Sequence, residues 1–132
     1  MNSLKKHSDI AHLILRLVIA AIFLYHGSQK WMFWSAIPEG MPSNMVMLFK
    51  FLSIVEPLGG LALLLGVLTR LASLGLGIIM LGAIYMKMTV MGVGFVTPTG
   101  PGWEFDLMIL AGCIALMFEG AGKYSLDAKM KI

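Results

Sequence analysis

Residues 45–67 read MVMLFKFLSIVEPLGGLALLLGV, an apolar run interrupted near its middle by Glu56-Pro57 and then Gly59-Gly60. A hydrocarbon core about 30 Å thick takes roughly 20 helical residues to cross, so the run has the length of a membrane span. A carboxylate near the centre of such a span is costly unless it is neutralised. Pro57 brings no N–H and frees the carbonyl of Ser53, and the two glycines loosen the next turn. The stretch therefore predicts a kinked transmembrane helix whose acid needs a partner. Two readings of Glu56 stand side by side. One is a functional acid; the other is a structural ion pair with Arg16 that fixes helix register.

Three further runs, about 11–31, 71–91 and 103–120, have the same character, and the breaks between them are of the right kind. Residues 32–44 hold Pro38, Gly40, Pro42 and Ser43, Thr69-Arg70 is a tight connection, and 92–102 reads GVGFVTPTGPG. The expected fold is an all-α integral membrane protein, a single domain over 1–132 built as a four-transmembrane-helix bundle. Composition agrees. Of 132 residues 58% are hydrophobic and 13% charged, about half the charge of a soluble domain. The net charge of +3 does not point to nucleic acid, because the basic residues fall at helix ends rather than in an aromatic-interleaved patch.

Lys5 and Lys6 followed by an apolar run from Ile10 resemble a secretory signal. The run carries Arg16, lasts about 20 residues and lacks a convincing cleavage site, so it is read as a retained first span. With the N-terminus cytoplasmic, that side holds Lys5, Lys6, Arg70, Lys123, Lys129 and Lys131, and the other holds Lys30, Lys50 and Lys87. Trp31, Trp34 and Trp103 then lie at the outer interface. Both termini are expected in the cytoplasm and the protein in a bacterial inner membrane.

At 100° per residue, Arg16, His26 and Lys30 share an arc of about 80° on the first span, with Ala20 and Gly27 beside it. Arg70, Ser73, Gly77 and Lys87 share about 100° on the third. Glu104, Ala111, Ala115 and Glu119 cluster likewise on the fourth, and these arcs are expected to face inward. Cys113 falls opposite Glu104 and is expected off the polar face. As the single cysteine of the chain it excludes an internal disulfide relay.

Toward the outer end, His26, Lys30, Lys87 and Glu104 are predicted to line one polar pocket. The two lysines also fit a simpler role, snorkelling to the interface. Toward the inner end, Arg16, Arg70 and Glu119 form a second candidate cluster, with Arg70 equally well read as a positive-inside anchor. The 12 methionines raise copper handling, but Met also fills membrane helices and no Cys pair or close His–Met cluster accompanies them. No metal site is expected. His7, His12 and His26 are too scattered for bis-histidine haem ligation, and no nucleotide-binding motif is present.

In order and spacing these residues resemble the DoxX family of small four-helix membrane proteins. The likeness covers about 10–127: Arg16-Leu17, His26-Gly27-x-x-Lys30, Glu56-x-x-Gly59-Gly60, Leu68-Thr69-Arg70, Glu104, and Gly120-x-Gly122-x-x-Ser125-x-Asp127. Ala121 stands where the family often has proline. The resemblance implies a place in membrane redox systems, such as the small subunit of a thiosulfate:quinone oxidoreductase. It also implies oxidative-stress complexes with a soluble sulfurtransferase partner. The leading expectation is a quinone-binding membrane subunit. In it His26 and Lys30 hold quinone oxygens, Lys87 lies in the same pocket, and Glu56 or Glu104 delivers protons. The alternatives are a proton or small-solute carrier, working as a homo-oligomer, and a scaffold that recruits a soluble oxidoreductase.

Overall fold

The computed structural model describes residues 2–132 and is built of helices joined by turns and loops. A first turn, α1 (Asn2–Lys5), precedes α2 (Ser8–Gln29), which tightens into a 3-10 helix over Lys30–Trp34. Then follow α3 (Ser43–Leu65), α4 (Thr69–Thr89), α5 (Trp103–Glu119) and a short α6 (Leu126–Met130). Among the described residues the extended structure is a single bridge between Thr97 and Gly100.

Three of the helical stretches, Ser8–Trp34, Ser43–Leu65 and Thr69–Thr89, are long and apolar enough to cross a membrane. The fourth, α5, has 17 residues and is about 25 Å long. The long helices close a ring in which α2 packs on α3, α3 on α4, α4 on α5 and α5 on α2. Ile19, Ala20, Phe23, Leu63, Leu76, Met80, Ile109, Cys113 and Leu116 fill its centre. Outside, Phe51, Leu58, Ile78, Met108 and Phe118 are each more than half exposed. A surface this apolar belongs in lipid.

Lipid tails offer helices no hydrophobic reason to associate, so close approach and polar contacts must do it. Gly27 of α2 lies against the Pro57 ring of α3, where a Cβ would overlap the ring. A Cβ on Gly60 would stand 3.1 Å from the Ala20 carbonyl. Pro57 and Gly60 thus serve the α2–α3 seam, while Gly59 faces α4, where a Cβ would stand 2.7 Å from Leu76 Cδ2.

The chain ends meet at one end of the bundle. The Arg16 side chain, 1% exposed, donates from Nε to Leu63 O (2.9 Å) and from Nη1 to Ala121 O (2.6 Å) and Tyr124 O (3.0 Å). It thereby satisfies a carbonyl at the C-terminus of α3 and ties the segment after α5 to it. Gly66 ends α3 in the left-handed region, φ 67°, and a Cβ there would lie 2.8 Å from the Arg16 guanidinium carbon. Asp127 accepts from the N–H groups of Leu68 (2.7 Å) and Thr69 (2.9 Å), capping α4 from the far end of the sequence. The Lys123 N–H donates to Asp9 Oδ1 (2.9 Å).

Two expectations are corrected here. Arg16 does not pair with Glu56; it caps backbone carbonyls, and Glu56 finds Lys30. The inward face of α5 is the opposite of the one expected: Glu104, Ala111, Ala115 and Glu119 are exposed, while Asp106, Ile109, Cys113 and Leu116 are buried. Asp106 and Cys113 stand only about 20° apart on the helix, so choosing Asp106 as the inward acid carries Cys113 into the core.

Replacing Arg16 with leucine removes the guanidinium donor from the carbonyls of Ala121 and Tyr124 and leaves Leu63 O with the Gly66 N–H alone. Thermal unfolding in detergent should show a loss of about 3–5 kcal/mol, the scale for removing one partner of a buried charged contact. Arg16→Lys, keeping the charge but not the fork, should recover only part. An unchanged midpoint for Arg16→Leu would remove the residue from this anchoring role.

Candidate functional site

Away from the chain ends, two helix pairs are each joined by a lysine and an acid. Lys30 Nζ, at the end of α2, lies 2.8 Å from Glu56 Oε2 on α3, with side chains 19% and 4% exposed. Lys30 also donates to the His26 carbonyl at 3.3 Å. Lys87, near the end of α4, lies 2.6 Å from Asp106 Oδ2 on α5, with side chains 24% and 9% exposed. In a low-dielectric interior such pairs hold strongly once formed, and each acid is neutralised where it stands.

Around Glu56 the backbone defect made by Pro57 is repaired. The freed carbonyl of Ser53 accepts from Trp31 Nε1 at 2.9 Å. Trp34 Nε1 donates to the Ser53 hydroxyl, also at 2.9 Å, and Ser53 Oγ donates on to Lys50 O at 2.6 Å. Lys50 Nζ lies 5.1 Å from the Trp34 ring centre, a cation–π contact. The 3-10 helix is thus folded onto the kinked part of α3 by its tryptophans, and Lys30 is presented to Glu56 by the same turn.

The predicted single pocket of His26, Lys30, Lys87 and Glu104 does not form as one cluster. Lys30 is taken by Glu56 and Lys87 by Asp106. His26 is exposed, its ring 6.0 Å from Tyr25 and tilted 6.4 Å from Phe105. Glu104 lies in the wall of an open cavity of about 510 Å³ along α5, with Phe95, Pro101, Phe105, Met108 and Ala111. Phe105 is therefore common to His26 and to the groove that holds Glu104. The groove is floored by a loop turned back on the helix: Trp103 N–H donates to Gly94 O (3.3 Å) and Glu104 N–H to Phe95 O (3.2 Å). Phe95 meets Trp103 edge-on at 4.6 Å.

The second expected cluster forms in part: Arg70 and Glu119 line one cavity, and Arg16 stands apart from it. Arg70 donates to the carbonyls of Met117 (3.1 Å) and Phe118 (2.8 Å), capping α5. Glu119 lies 3.8 Å from His12 Nε2, and Arg16 is engaged with α3 and the terminal segment. Among the described residues no three His, Cys, Asp or Glu side chains gather as metal ligands.

Asp106 and Trp31 are the site residues that sequence reasoning missed. The spacing of Asp106 with Ile109, Cys113 and Leu116 was a signal for the first. The orphan carbonyl of Ser53 called for a donor, and Trp31 was within reach of the adjacent loop.

Comparison with known proteins places these features in context. The family model for DoxX matches residues 11–90, which hold Arg16, Lys30, Glu56 and Lys87. An uncharacterized membrane protein of Mycobacterium tuberculosis is 32% identical over 128 residues, covering 88% of this chain and 78% of its own. An uncharacterized protein of Haemophilus influenzae is 30% identical over 98% of this chain and 97% of its own. A protein of Bacillus subtilis named putative oxidoreductase CatD is 28% identical over 94% and 90% respectively. No solved structure matches the chain.

The Lys30–Glu56 pair can be weighed by a double-mutant cycle. Lys30→Met or Glu56→Gln alone should each destabilise by about 3 kcal/mol, and the double variant should cost less than their sum. Additive losses in unfolding midpoints would mean the two charges are not coupled. Gly27→Ala, which forces a methyl into the Pro57 ring, should cost about 1–3 kcal/mol.

Proposed function

The chain belongs to the DoxX family of membrane proteins, and on that premise we propose that it is the membrane subunit of a quinone-linked oxidoreductase. The observation that carries this reading is the groove beside Phe105. It is apolar and aromatic, holds one carboxylate, Glu104, and has His26 against the same phenylalanine. Its volume, about 510 Å³, falls in the usual range for organic ligands. A flat ring with two carbonyl oxygens suits such walls, and the groove lies on the exposed side of α5 where a lipid-soluble ligand would enter. The relative named as a putative oxidoreductase supports the same class.

A quinone headgroup supplies two-electron, two-proton chemistry. This chain's part is to seat it, orient it and move protons at its edge. His26 is the donor to a ring oxygen, and the Glu104 carboxyl, at the groove wall, exchanges the protons. Lys30 and Lys87 act one step back, holding Glu56 and Asp106 so that the helices bearing His26 and Phe105 keep their register. Electrons come from a soluble oxidoreductase or sulfurtransferase partner docking on the membrane surface.

In this reading α5 is the fourth span and both termini are cytoplasmic, in a bacterial inner membrane. The end that gathers the termini carries Lys5, Lys6, Arg70, Lys123, Lys129 and Lys131, the pattern of a cytoplasmic face. A scaffold role is the second reading, favoured by the two neutralised acids. With Glu56 and Asp106 both paired, a proton carrier through the bundle has less to support it.

Native mass spectrometry of protein drawn gently from its own membrane should find quinone bound. Glu104→Gln and His26→Ala should each lower its retention about tenfold, equivalent to about 1.4 kcal/mol, with the unfolding midpoint little changed. Retention that ignores both substitutions would sink the quinone site; a soluble partner bound without quinone would favour the scaffold. Reporter fusions after Ile132 and within 92–100 should read cytoplasmic and external respectively.

A further inference from the structure

A second cavity, of about 380 Å³, opens at the end of the bundle that gathers the chain ends. Its wall is made by the first turn of α4, the last turn of α5 and the terminal segment, with Thr69, Arg70, Leu71, Glu119, Asp127 and Ile132 among its residues. It is separate from the α5 groove, and nothing said of it depends on the quinone reading.

The charges in this cavity are mixed and unevenly used. Arg70 bonds the carbonyls of Met117 and Phe118 through Nη1 alone. Its Nε–Nη2 edge has no hydrogen-bond partner among the described residues and runs past Gly120, where a Cβ would stand 3.4 Å from both nitrogens. That edge is the fork that grips phosphate bidentately. Thr69 is 1% exposed and its hydroxyl has no partner among the described residues, an orphan polar group in the same wall. Each oxygen of Asp127 already accepts one N–H, from Leu68 and from Thr69, so its charge is partly spent on capping α4. The Glu119 side chain is 67% exposed, and its neighbour His12 lies at 3.8 Å, beyond hydrogen-bond distance. Its carboxylate is open to a cation. The rim is apolar, with Leu68 52%, Leu71 63% and Ile132 70% exposed.

One free guanidinium edge, one free carboxylate and an apolar rim describe a ligand that is anion, cation and hydrocarbon at once. We propose that this cavity seats the headgroup of an aminophospholipid, its phosphodiester on Arg70 and its primary ammonium on Glu119, with the chains leaving along Leu68 and Leu71. A purely anionic headgroup meets the carboxylates of Glu119 and Asp127. A quaternary ammonium has no N–H to donate to Glu119. The lipid so held bridges α4, α5 and the terminal segment.

The test is native mass spectrometry of the full-length protein in mild detergent. Phosphatidylethanolamine, phosphatidylglycerol and phosphatidylcholine of one acyl composition are offered in turn. Phosphatidylethanolamine should be retained about three- to fivefold over the other two, the scale of one partly exposed ion pair. Glu119→Gln, an exposed and conservative change, should abolish that preference without altering the unfolding midpoint, and Arg70→Gln should lower retention of all three lipids. Preference for phosphatidylglycerol, equal retention of all three, or a preference that survives Glu119→Gln would overturn the proposal. Displacement by soluble phosphoethanolamine as effective as by the lipid would assign the cavity to a free phosphate ester and overturn the lipid reading.

Discussion

The guanidinium of Arg16 is the constraint on which the rest of the bundle depends. It is buried at 1% exposure in a protein whose surroundings offer few alternatives to an internal hydrogen bond. Helix C-termini expose carbonyls that have no partner within the helix, and in hydrocarbon each costs several kcal/mol. Arg16 answers that need for α3 and in the same act captures Ala121 and Tyr124. The terminal segment can then deliver Asp127, whose oxygens cap α4. Arg70, at the start of that helix, caps α5. One end of the bundle is therefore a chain of helix terminations, each satisfied by a residue of another segment.

The opposite end is held by different chemistry. Among the described residues each close helix pair, α2 with α3 and α4 with α5, carries one lysine–acid contact there. Long lysine stems let an ammonium near a helix end reach an acid deeper on its neighbour. At the α2–α3 seam the reach is set by packing: Gly27 admits Pro57, which brings Glu56 level with Lys30 rather than Arg16. The kink, the small residue and the ion pair are one device, and Trp31 completes it by taking the carbonyl that Pro57 leaves unpaired.

The helical runs were legible because length, hydropathy and Gly/Pro punctuation act locally; α3 and α4 each begin and end about two residues before their expected bounds. Partner choice was not legible. Arg16 and Lys30 share an arc on α2, so angular reasoning cannot separate them. They stand about 20 Å apart along the axis, and axial level depends on how the intervening connection and 3-10 helix set α3 against α2. On α5 the difficulty was sharper. Glu104 and Asp106 project to opposite sides, and alanines in register with Glu104 imitate a close-packed face. The stripe of Ile109, Cys113 and Leu116 below Asp106 goes inward instead, because Lys87 is there to meet the acid.

That inversion decides where chemistry is accessible. Glu56 and Asp106 are each bound to a lysine, whereas His26 and Glu104, near the start of α5, are exposed. The groove that holds Glu104 is not made by α5 side chains alone. The first N–H groups of α5 lack helical partners, and those of Trp103 and Glu104 are taken by the carbonyls of Gly94 and Phe95. Gly102 is needed for this approach, since a Cβ would collide with both carbonyls. Satisfying the helix end thus draws Phe95 over the start of α5 as the groove's outer wall. The same backbone hydrogen bonds that terminate the helix shape the cavity.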